Sequence, residues 1–146
     1  MSSLAAQLDD LKTNSEHFIR RALGAANFLG GETNLNRIVA VASNSSLSQS
    51  MRVEALEMLG QWANPVSRDR VVGAWREIGE RSAAEAIAAL EPVFEATIND
   101  ELVRDAAIQT AKSLNLKSAE KPLQRLFANE ATNEETRMKV LSLIHI

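Results

Sequence analysis

The chain contains no cysteine, no tyrosine, only 3 prolines and no surplus of positive charge in its 146 residues. Lack of cysteine removes disulfides, thiolate metal sites, iron–sulfur ligation, a CxxCH haem attachment and a cysteine nucleophile together. The 16 basic and 19 acidic residues, net −3, are interspersed along the sequence. No field of that composition draws a chain onto DNA, RNA or anionic lipid, so no nucleic-acid partner is expected. The N-terminus, MSSLAAQLDDLK, lacks a basic region followed by an apolar one, and no stretch approaches 18 apolar residues. Membrane insertion is therefore not expected. Alternating runs of β-branched residues are missing as well, and with them the signal for strands.

Alanine, leucine and glutamate dominate instead, which predicts an all-α domain. A length of 146 residues fits one domain, with roughly 70% of the unfolded surface buried. Periodicity places helices near 3–12, 14–29, 34–43, 49–63, 67–78, 83–97, 101–114, 118–129 and 133–146. Starts carry the S/T-x-x-E box, in which hydroxyl and carboxylate satisfy orphaned backbone N–H groups, at Thr13 and Glu16, Ser82 and Glu85, and Thr132 and Glu135. Stops fall at Gly30-Gly31, Asn64-Pro65 and Asn99-Asp100. Links this short force neighbouring helices antiparallel.

The helices also repeat. Arg52, Ala55, Leu56 and Leu59 align with Arg104, Ala107, Ile108 and Ala111, and with Arg137, Val140, Leu141 and Ile144. An earlier copy, with Ala22, Leu23 and Ala26, has Ile19 in the arginine slot. The small residue recurs at 22, 55, 107 and 140, at intervals of 33, 52 and 33 residues. The long interval holds an insertion, placed at about residues 65–82, that contains Ser67-Arg68-Asp69-Arg70 and Trp75. A small residue lets two helices of a hairpin approach, and the apolar positions after it bury against the partner helix and the next unit. The preceding helices carry matching stripes: Leu4, Leu8 and Leu11; Leu35, Ile38 and Val39; Ile87, Leu90 and Phe94; Leu123, Leu126 and Phe127. Pro92 lies inside the third of these helices and is expected to kink it, which the outer layer of a superhelix tolerates, whereas Pro122 sits in a first turn, where it does little harm.

In this register the chain resembles a HEAT-type, armadillo-like repeat protein: a right-handed α-solenoid of about four helical hairpins with one helical insertion. RVEALEMLGQWANPVSRDRVVGAWR and SAAEAIAALEPVFEATI further resemble HEAT segments of large exported bacterial proteins. Those proteins join a glucose/sorbosone-dehydrogenase-like propeller to a c-type cytochrome module. The resemblance covers roughly residues 35–115 and implies a fragment of a longer, exported or periplasmic polypeptide. In it the solenoid would brace other domains without being an enzyme itself. Nothing in this sequence supplies the propeller, a quinone site or a haem motif, so no cofactor is expected. The closing LSLIHI either ends the last helix or is a translated transposase adapter.

The candidate interaction residues are Trp62, Arg68, Asp69, Arg70, Trp75 and Arg76. An exposed tryptophan beside arginine makes a good interface anchor. The same residues also have ordinary roles: Trp62 in the core, Trp75 clamping the insertion, and Ser67 with Asp69 capping a short helix. Arg52, Arg104 and Arg137 are expected to bond loop carbonyls or acidic groups between units. His17 and His145 have no nearby ligand pattern, so no metal site is expected, and no nucleophile–base constellation occurs. The expected function is a non-catalytic scaffold for protein–protein or interdomain contacts, with weak self-association through exposed end faces. Rival readings are a HEAT-type bilin lyase or isomerase, which would need an acidic and aromatic pocket, and a DNA-binding HEAT protein, which would need a basic inner face.

Overall fold

The computed structural model describes residues 2–9, 15–63 and 81–128, together with Glu134 and Met138. Among them are seven α-helices and no strand: α1 (Ser2–Ala6), α2 (Glu16–Leu29), α3 (Gly31–Ser43), α4 (Gln49–Gly60), α5 (Ala83–Ile98), α6 (Arg104–Leu114) and α7 (Glu120–Ala128). Short 3-10 turns follow α1 at Gln7–Asp9 and precede α7 at Lys117–Ala119. The described residues form helices and no strand, as the composition predicts. The expected helix at 67–78, the expected helix at 133–146 apart from the helical Glu134 and Met138, the Asn64-Pro65 stop, and the caps at Thr13 and Thr132 lie outside the described residues.

Local chemistry sets the boundaries. Ser15 caps α2, accepting from the Phe18 N–H, so the helix begins at Glu16 rather than at 14. Ser48 caps α4 through Met51 in the same way. Gly30, at φ 69° and ψ −162°, lets α3 follow α2 directly, three residues earlier than the periodicity suggested. That backbone conformation is almost confined to glycine. Helix α6 starts at Arg104, not 101, because Asp100 folds the intervening residues into a turn by accepting the Leu102 N–H. It ends on Asn115, whose left-handed φ of 53° allows the Leu116 N–H to reach the Ala111 carbonyl. Helix α5 runs unbroken through Pro92.

Consecutive helices pair as α1 with α2, α3 with α4, and α5 with α6. Contacts between pairs also follow an order: α3 meets α5 and α5 meets α7, while α2 meets α4 and α4 meets α6. Three of the four aligned copies fall among the described residues, and the one at Arg137, Val140, Leu141 and Ile144 lies outside them. Ala22, Ala55 and Ala107 are each 0% exposed, and Leu23, Leu56 and Ile108 beside them are buried too. Leu8, Leu35, Ile38, Val39, Leu90, Phe94, Leu123 and Leu126 fill the core from the opposing helices. Helix α4 has partners on several sides, so it buries Met51, Arg52, Ala55, Leu56, Met58 and Leu59 rather than one narrow stripe. At Gly60 a Cβ would lie 3.4 Å from the Ser113 side chain and 3.6 Å from the Thr110 backbone, which marks the close approach of α4 to α6. The Thr110 hydroxyl lies 2.9 Å from the Leu56 carbonyl and binds this crossing.

Candidate functional site

Three arginines bond the carboxyl-terminal ends of three helices, where unpaired carbonyls and the helix dipole both favour a cation. Arg52 Nε donates to the Ala42 carbonyl at the end of α3 (3.1 Å), and its Nη1 donates to Asp100 Oδ2 beyond α5 (2.9 Å). Arg104 Nε donates to the Ile98 carbonyl at the end of α5 (2.7 Å). Arg81 Nη2 donates to the Asn27 and Phe28 carbonyls near the end of α2. The first two occupy the repeated arginine position; the Arg52 bond to Asp100 joins one pair of helices to the next, whereas the bonds to Ala42 and Ile98 fall within a single pair rather than between units. The third member, Arg137, lies outside the described residues, and Ile19 in the same slot is buried as an apolar residue.

Arg52 is 3% exposed, which makes it the most deeply placed charge among the described residues. Near the amino terminus of α4 its charge opposes the helix dipole, so the Asp100 carboxylate and the Ala42 carbonyl must offset both that and desolvation. Asp100 is held below the ordinary carboxylate range, first by its bond from Arg52 and then by the Leu102 N–H.

Arg81 joins a second cluster. Its guanidinium carbon lies 4.1 Å from the centroid of the Trp62 ring, a cation–π distance. Its Nη1 also donates to Asn27 Oδ1 at 3.3 Å. Burial lowers the Arg81 pKa, and the nearby Glu85 carboxylate opposes that shift. Trp62 is fully buried, and its Nε1 donates to Glu85 Oε2 at 3.2 Å. Glu85 is the carboxylate of the expected box with Ser82. Ser82 does cap α5, accepting from Ala84, while the Glu85 carboxylate accepts from the tryptophan. Trp62 and Arg81 thus bring together the two described ends that flank residues 64–80. Arg68, Asp69, Arg70, Trp75 and Arg76, the other candidate interaction residues, lie within that segment, outside the described residues. Arg81 itself is not singled out by the sequence, since it matches no repeat position and stands among other charges in REIGERSAAE.

Hollows on the described surface include two between helix pairs. One, of about 410 Å³, follows the seam between α4 and α6. Val53 and Ala106 contribute apolar lining, Glu57, Glu101 and Asp105 carboxylates, and Leu102, 58% exposed, a large apolar side chain; no lysine or arginine lines it. The other, about 330 Å³, lies between α3 and α5 and is lined by Glu32, Leu35, Asn36, Glu85, Ala88 and Ala89. Neither hollow contains a histidine, and no group of three or more potential metal-ligating side chains is assembled among the described residues. His17 is exposed on the first turn of α2, and His145 lies outside the described residues.

Polar bonds tie the helices elsewhere. Arg37 holds Asp9 through two bonds of 3.0 and 2.9 Å, linking α3 to the turn after α1 and depressing the Asp9 pKa. Arg20 meets Glu54 at 2.9 Å, and Ser50 donates to Glu16 at 3.0 Å, joining α2 to α4. Gln49 Nε2 donates to the Leu102 carbonyl at 2.7 Å, joining α4 to the turn before α6. No described helix is long and apolar enough to cross a membrane. Comparisons with protein-family models, with curated proteins and with solved structures find no match.

Proposed function

We propose that the chain is a non-catalytic HEAT-like α-solenoid, and that it serves as a scaffold for protein–protein or interdomain contacts. The supporting observation is the recurrence of one environment. Ala22, Ala55 and Ala107 are fully buried at matching points of α2, α4 and α6, and each of these helices meets the next. Arg52 and Arg104 repeat one type of bond, from the start of a second helix to the end of the helix before it. Such an array works through shape: stacked hairpins hold surface groups at set spacings, so little ordering entropy remains to be lost on binding.

The surface best suited to contact is the seam between α4 and α6, where exposed Leu102 stands beside carboxylates and carboxamides. In the full reading the parent is a larger bacterial oxidoreductase of the cytochrome type, and the partners are its other domains. The test mixes this chain with separately produced domains encoded on either side of it and measures association by calorimetry. Glu101→Lys with Leu102→Asp alters exposed positions and should weaken association by about tenfold or more while leaving the helical circular dichroism unchanged. Failure of every flanking domain to bind, or equal binding by the variant, would overturn the proposal.

A further inference from the structure

We draw no further inference here: the strongest candidate, the furrow between α4 and α6 with Glu57, Glu101 and Asp105 on its walls, belongs to the surface already described, and nothing in the structure shows what covers it.

Discussion

Replacing Arg52 by methionine probes how the pairs of helices are joined. The substitution keeps an unbranched apolar stem of similar width, so the loss falls on the guanidinium. Two bonds disappear, one to the Ala42 carbonyl and one to Asp100. Hydrogen bonds to charged groups contribute about 1.5–3 kcal/mol each, and a charge stranded by loss of its buried partner costs more. Asp100 retains 28% side-chain exposure, so water can recover part of its solvation, and the full penalty for a stranded buried charge does not apply. The remaining desolvation of Arg52 is also relieved in the variant. A net loss of about 2–3 kcal/mol follows, which for a domain of this size lowers Tm by roughly 5–10 °C. Urea unfolding followed by circular dichroism measures it. A double-mutant cycle with Asp100→Asn isolates the ionic part, and a coupling near zero would refute the bridge. The pH dependence gives a second reading. The folded pKa of Asp100 lies below its ordinary value of 3.8, so its contribution is complete above about pH 3.8 and lost as pH falls through the depressed value. Arg52→Met should flatten that part of the acid limb. An acid limb identical to that of the parent chain would remove the assigned cause.

Other perturbations test separate parts of the packing. Leu56→Ala, at a fully buried position of the repeat, should cost roughly 2–5 kcal/mol in chemical denaturation, and a change within error would mean the register is wrong. Gly30→Ala should cost about 1–3 kcal/mol from backbone strain, and more if Arg81 is displaced, because its Cβ would fall 3.2 Å from Arg81 Nη2. Thermal unfolding indistinguishable from the parent would contradict the φ assigned to Gly30. Trp62→Phe keeps a buried ring but loses the bond to Glu85 and weakens the stacking of Arg81, which should destabilise by about 1–2 kcal/mol. Arg81→Met in the Trp62→Phe background should then cost less than in the parent chain, and additive losses would show that the two side chains act independently.

Much of this packing is legible in the sequence because it depends on side-chain size at a fixed helical interval. The alanines at 22, 55 and 107 are identifiable by their spacing, and only a small residue suits a position where helices approach closely. Helix starts were less legible because several nearby groups can satisfy the same N–H. Ser15 caps α2 although Thr13 began the sequence box, and Asp100 uses its carboxylate in a turn that delays α6 by three residues. Glu85 shows the same competition between helices: a box carboxylate bonds the Trp62 indole, 23 positions away, and no local pattern can reveal that pairing. Arg81 was invisible for a related reason, since its carbonyl partners lie more than 50 positions earlier.

The arginines show how local and distant order combine. Each of Arg52, Arg81 and Arg104 meets a helix end whose carbonyls lack a next turn, so each end requires a donor irrespective of the surrounding sequence. For Arg52 and Arg104 the donor recurs at a fixed point in the following helix, and the repeat makes it readable. In α2 that slot holds Ile19, a buried apolar residue that offers no donor to the helix before it, and the end of α2 takes its donor from outside the repeat frame, from Arg81 just before α5. The 64–80 segment is therefore followed at once by a residue that reaches back to the α2 terminus and stacks on the tryptophan at the close of α4. Its downstream flank is anchored by one side chain to two earlier helices. Loss of Arg81 should consequently loosen the junction of α2, α4 and α5 while leaving the Arg52 and Arg104 bonds intact. Hydrogen exchange would register this as faster exchange at the amides of Phe28 and Trp62, with protection at Ile108 unchanged; uniform acceleration across all three would instead mean that Arg81 supports global stability alone.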